Sequence, residues 1–107
     1  MSDDTLEGLA RRLRTFAEER DWGRFHSPKN LAMALTGEVG ELVEHFQWCT
    51  EEQSAQIMAS DRADDVTDEL ADVLIYLVRL ADVLGVDPVQ AAMAKVERNE
   101  HRFPTAT

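Results

Sequence analysis

Apolar residues recur along the chain at spacings of three and four, and nowhere does a two-residue alternation persist, so the pattern predicts helices throughout. The first stretch, about residues 3–20, sets Leu6, Leu9, Leu13 and Phe16 on one stripe. It ends ahead of Asp21-Trp22-Gly23-Arg24-Phe25-His26, a connection unusually rich in rings. Ser27-Pro28 reads as an N-cap followed by a proline at the first helical position, where its missing N–H costs nothing, and predicts a second helix to about Trp48. Thr50-Glu51-Glu52-Gln53 has capping-box form and opens a short helix to about Met58. Ser60-Asp61 starts a third long helix that closes at Gly85, and Asp87-Pro88 starts a fourth that reaches about His101. The expected fold is all-α: a small four-helix bundle with one short extra helix, in a single domain over residues 1–107.

Composition narrows the partners. Acidic side chains outnumber basic ones 21 to 11, a formal charge of −10, and phosphate-backbone binding needs the opposite sign, so DNA and RNA are excluded as partners. A small anionic ligand is still admissible if a metal ion stands between it and the acids. The longest apolar run, residues 73–84, is interrupted by Arg79 and Asp82 and is too short to span a bilayer. A single cysteine, Cys49, precludes an intrachain disulfide framework and suits a reducing compartment. Residues 1–4 are acidic, unlike the basic start of a secretory signal, and the expected location is the cytoplasm.

At about 100° per residue, Leu31, Leu35, Val39, Leu42 and Phe46 form one arc of the second helix, with Glu38 at its edge and Glu41 along the same flank. Residues three apart are neighbours on a helix face, so these two carboxylates can aim at one point. The third helix repeats the arrangement: Val66, Leu70, Val73, Leu77 and Leu84 share a stripe, flanked by Glu69, Asp72 and Tyr76. Either acidic pair alone is ordinary helix surface. Two such pairs on two long helices, if these pack antiparallel, bring four carboxylates together, where repulsion is severe without a cation. Hard oxygen ligands suit Mg²⁺, with Mn²⁺ as a possible substitute, and a Glu-x-x-His pairing of the di-iron kind is missing at the matching positions. His45 lies between Glu38 and Glu41 on the wheel and reads as a packing residue, while Asp61, Asp64, Asp65 and Asp68 form a solvated helix start.

Glu38-Val39-Gly40-Glu41, followed by Glu69-Leu70-Ala71-Asp72, resembles the ExxE…ExxD signature of the MazG-like all-α nucleoside triphosphate pyrophosphohydrolases. The resemblance is closer to the dCTP pyrophosphatase branch. It is carried by Glu19-Arg20-Asp21-Trp22, by Phe25-His26 with Pro28 and Asn30-Leu31, by Phe46-Gln47-Trp48, by Asp72-Val73-Leu74-Ile75-Tyr76-Leu77 and by the ending from Lys95 to Pro104. Together these run in order through nearly the whole chain. The resemblance implies Mg²⁺-dependent hydrolysis of a nucleoside triphosphate, dCTP and its 5-modified forms foremost, to a monophosphate and pyrophosphate, as nucleotide-pool housecleaning. It implies Glu38, Glu41, Glu69 and Asp72 as metal ligands; by the chemistry of the cluster, one carboxylate takes the proton of the attacking water, with Glu38 and Glu41 as joint candidates. Trp22, Phe25, His26, Trp48 and Tyr76 match base- and sugar-contacting positions, and Lys95, Asn99 and Arg102 match positions facing the phosphates. One departure is Leu13, which stands where animal relatives carry a histidine in the first helix. Two alternatives stay open: a MazG-like hydrolase of other or broad base preference, and a non-catalytic helical dimerisation module.

Assembly is expected from two directions. A chain this short buries only about 60–65% of its unfolded surface, and apolar residues nearly encircle the third helix, so a second copy is needed to cover them. The resemblance implies a homotetramer built as a dimer of dimers, with the aromatic loop or the 95–102 segment completing a neighbour's pocket.

Overall fold

The computed structural model describes residues 3–106, so residues 1, 2 and 107 of the expected domain lie outside the described residues. Five helices follow in order: α1 (Leu6–Glu19), α2 (Pro28–Phe46), α3 (Glu51–Ala55), α4 (Ala63–Leu84) and α5 (Pro88–Arg102). Short 3-10 turns at Gly23–Phe25 and Ile57–Ala59 join them, and no strand occurs among the described residues.

The expected start signals act as such. The Ser27 hydroxyl accepts from the Asn30 N–H, Thr50 and Gln53 form a reciprocal capping box, and the Asp87 carboxylate accepts from both Val89 and Gln90. α4 begins later than Ser60-Asp61 suggests. Ser60 Oγ instead donates to the Ile57 carbonyl at 2.5 Å and accepts from the Arg62 N–H, so it closes the preceding turn rather than capping the helix. Two helix ends share one device. At Gly85, φ is 71° and the Gly85 and Val86 N–H groups return to Asp82 and Ala81. At Asp21, φ is 54°, and Asp21 and Trp22 bond back to Glu18 and Ala17 in the same pattern. A short polar side chain tolerates that left-handed conformation, and the turn throws Trp22 sharply off the end of α1.

α4 is the central element: α2 lies along it and α1 packs beside it. The buried apolar set is small, Ala17, Leu31, Ile57, Val66, Val78 and Ala81. Leu70, Leu77 and Leu84, expected to share α4's buried stripe, stay exposed, and Val78 and Ala81 fill that role instead. Nor does one chain assemble a four-helix bundle. α5 has no substantial packing partner, and its apolar residues Val89, Met93 and Val96 all face solvent. The spacing reports that a helix has an apolar face; it does not report which chain covers it. The accessible surface is 8454 Å², against roughly 6,000 Å² for a compact chain of this mass. The radius of gyration is 16.9 Å, against about 13 Å for a compact domain of this length. None of the helices is long and apolar enough, over the described residues, to cross a membrane.

Candidate active site

Where α2 crosses α4, Glu38 and Glu41 on one helix meet Glu69 on the other, and one carboxylate oxygen from each lies within 4.8 Å of the other two. The i, i+3 spacing puts the α2 pair on one face, and the packing of α2 along α4 supplies the third acid. No lysine or arginine pairs with any of them among the described residues. Glu38 Oε2 and Glu69 Oε2 are buried and receive no hydrogen bond. Asp72, one turn beyond Glu69, stands outside this set of three, yet its negative charge is felt at both Glu38 and Glu69.

Burial, then the charges of Glu41, Asp72 and Glu69, push the Glu38 carboxyl up from its ordinary value of 4.5 to about 7. Burial and the close approach of Glu41, with the charge of Asp72 behind it, raise Glu69 as well. Two buried oxygens without a donor, beside a third carboxylate and with no cationic side chain at hand, fit a divalent cation with oxygen ligands. Glu38, Glu41 and Glu69 would hold it, with Asp72 in reach of the same region.

The ring-rich connection forms a second group. Trp22 meets Phe16 of α1 edge-on, ring centroids 5.3 Å apart, and His26 lies edge-on to Trp22 at 6.2 Å. The Asn30 amide donates to the Phe25 carbonyl at 3.1 Å and fixes the far end of the turn on α2. His26 Nδ1 accepts from Arg79 Nε at 3.0 Å. Burial, helped by the Arg79 charge, keeps the His26 imidazole below its ordinary pKa. Trp22 and Phe25 are half-exposed, and the Arg24 guanidinium lies over the Phe25 ring, 4.8 Å from its centroid.

The remaining expected positions are more scattered. Tyr76 sits one turn beyond Asp72 on α4, partly buried. Trp48, just past α2, is 87% exposed. Lys95, Asn99 and Arg102 ride on α5, and no hydrogen bond or ion pair joins their side chains to α2 or α4 among the described residues. A solvent-open groove of about 950 Å³ runs along α1 between Leu9, Phe16, Arg20 and Leu74, and Glu38, Glu41, Glu69 and Asp72 do not line it. Arg79, Asp82 and Arg14, which join the ring-rich turn to α4 and α1, were not foreseeable from motif. The available signal was a charged pair three apart inside the apolar run of residues 73–84.

Comparison with known proteins places the fold. The MazG-like family matches residues 34–106, which span the paired acids and α5. The dCTP pyrophosphatase 1 of Bos taurus is 46% identical over 104 residues, covering 96% of this chain and 62% of its own length. That of Homo sapiens is 47% identical over 103 residues, 95% of this chain and 61% of its own. The chain thus spans under two thirds of these relatives. A dATP/dGTP diphosphohydrolase of cyanophage S-2L is 47% identical over 51 residues, 48% of each chain. The crystal structure of a pyrophosphatase from Archaeoglobus fulgidus superposes with a TM-score of 0.87 at 41% identity, covering 92% of both chains. With Glu38, Glu41, Glu69 and Asp72 all inside the matched region, the chain belongs to the MazG-like family.

Proposed function

We propose that the chain hydrolyses dCTP, and its 5-modified forms, to the monophosphate and pyrophosphate in a Mg²⁺-dependent reaction that clears the nucleotide pool. The carrying observation is the group of three carboxylate oxygens within 4.8 Å of one another, two from acids whose buried oxygens have no donor. An acidic chain of charge −10 meets a triphosphate only across a divalent ion. Such an ion, when bound, supplies charge neutralisation at the phosphates and an acidified water. The similarity to dCTP pyrophosphatase 1 proteins supports dCTP as the substrate.

The chain's own residues divide the rest. Glu38, Glu41, Glu69 and Asp72 hold the ion, and Glu38 or Glu41 takes the proton of the attacking water. Trp22, Phe25 and His26 form a platform for a planar base, with Trp48 and Tyr76 as further base or sugar contacts. Lys95, Asn99 and Arg102 face the phosphates, where cations stabilise the leaving pyrophosphate. Because α5 has no substantial packing on its own chain's α2 or α4, these three residues serve a neighbouring copy. The assembly is a cytoplasmic homotetramer, a dimer of dimers.

Pyrophosphate release across canonical and 5-modified nucleotides, with Mg²⁺ and then with chelator, tests the reading. Release from dCTP above all others, abolished by chelator, is expected. Faster release from a purine nucleotide would favour a second reading, a MazG-like hydrolase of other base preference. The cyanophage dATP/dGTP diphosphohydrolase and the Leu13 substitution support that reading. No release from any nucleotide, with no Mg²⁺ binding, would leave a helical dimerisation module.

A further inference from the structure

Arg79 is a charged side chain only 9% exposed, within the apolar C-terminal half of α4. Such a group persists only when its donors are satisfied. Nε donates to His26 Nδ1 at 3.0 Å, and Nη1 donates to Asp82 Oδ2 at 3.3 Å. Asp82 in turn accepts from Arg14 at 2.6 and 3.0 Å. Arg14 belongs to α1, Arg79 and Asp82 to α4, and His26 to the ring-rich turn. Four groups therefore tie three segments together.

We propose that Arg79 is a positioning residue for the nucleotide pocket, holding His26 with its proton on Nε2 and, through it, the Trp22–His26 turn against α4. This rests on the reading that the turn meets the base. The hydrogen bond dictates the tautomer. An Nδ1 that accepts from a guanidinium carries a lone pair, so the one proton of the neutral ring lies on Nε2. Turning the ring over would set a C–H against Arg79 and strand a nearly buried donor. Arg14 and Arg79 share one carboxylate, so Asp82 fixes the guanidinium without consuming the Nε that reaches His26. From His26 the order passes to Trp22 and on to Phe16 through successive edge-on ring contacts. His26 is left with a donor on Nε2, which an acceptor on the nucleotide, such as a pyrimidine carbonyl oxygen, would complete.

Nitrogen-resolved histidine NMR at neutral pH, with His26→Gln to assign the signal, reads the tautomer directly. The wild-type ring should carry its proton on Nε2 alone, and Arg79→Met should give a mixture. Steady-state kinetics on dCTP should show KM rising about tenfold in Arg79→Met, the worth of one hydrogen bond to a charged donor, with kcat nearly unchanged. Arg79→Lys should recover part of the loss, and in the His26→Gln background Arg79→Met should add nothing to KM. A wild-type ring protonated on Nδ1, or charged at neutral pH, would overturn the proposal without any variant. So would an Arg79→Met enzyme that loses thermal stability but keeps its KM and its His26 signal. If the wild-type chain leaves dCTP untouched, the kinetic arm fails with the proposed function, and the histidine spectra still decide whether Arg79 locks His26.

Discussion

Glu38 and Glu69 face each other from α2 and α4, each with one buried oxygen that no donor reaches. Two like charges so placed cannot both ionise at ordinary cost, and burial favours the neutral form of each. The cluster is therefore a place where the fold is weakened until a cation arrives, and its pH behaviour follows from that.

In chelator, stability should fall as pH rises between the ordinary carboxylate value of 4.5 and about 7. The folded Glu38 holds its proton through that window while the unfolded chain releases it, so the folded state binds more protons and loses ground with rising pH. Thermal unfolding across this range should show the decline, and Glu38→Gln should flatten it. A wild-type midpoint that climbs steadily over the same window would show that Glu38 ionises freely.

Protons and Mg²⁺ compete for the same oxygens. Binding measured by calorimetry should therefore weaken as pH drops below about 7, with proton release on binding. Glu41→Gln should abolish that binding and depress turnover by more than the roughly 10–100-fold that losing an outer-sphere partner costs. Its unfolding midpoint in chelator should be unchanged or higher, because one repelling charge has gone. Ordinary turnover in Glu41→Gln would remove the cluster from the mechanism.

Much of this was legible in the residues. Ser27, Thr50, Asp87 and Gly85 announce helix ends by local chemistry, which tertiary context rarely overrides, and each behaves as expected. The acids were legible because two i, i+3 pairs flank apolar stripes, a local pattern. What required the fold was long-range. The ion pair of Arg14 with Asp82 joins positions 68 apart, and the hydrogen bond from Arg79 to His26 joins positions 53 apart. No periodicity encodes such partners. The placement of α5 was illegible for a related reason: its stripe fits a surface that its own chain does not present.

Trp48 stands 87% exposed just beyond the helix that carries Glu38 and Glu41. An indole so exposed contributes little to the core, so Trp48→Ala should leave thermal stability within experimental scatter. Nucleotide affinity should weaken by about 1–3 kcal/mol, the worth of a base–aromatic stack. Equilibrium binding to a non-hydrolysable dCTP analogue checks the second half. Unchanged affinity with a lower unfolding midpoint would assign Trp48 to packing between copies.

The isolated chain exposes roughly 2,400 Å² more surface than a compact chain of its mass, and Met93, Val96, Leu70 and Leu77 lie within that excess. Covering it in two copies buries an area in the range of obligate interfaces, about 2,000–5,000 Å². Light scattering should give a multiple of 12.1 kDa, and Met93→Glu should lower it by placing a charge on the apolar face of α5. If α5 serves a neighbour's acids, two inactive variants should repair each other. In a mixed assembly of Glu41→Gln chains with Lys95→Ala chains, some sites pair intact acids from one chain with an intact α5 from the other. Co-refolding the two should restore a fraction of the activity that neither shows alone. Mixtures as inactive as their parts would place Lys95 and Glu41 in the service of one chain. A monodisperse mass of one chain with full activity would dispose of the shared site altogether.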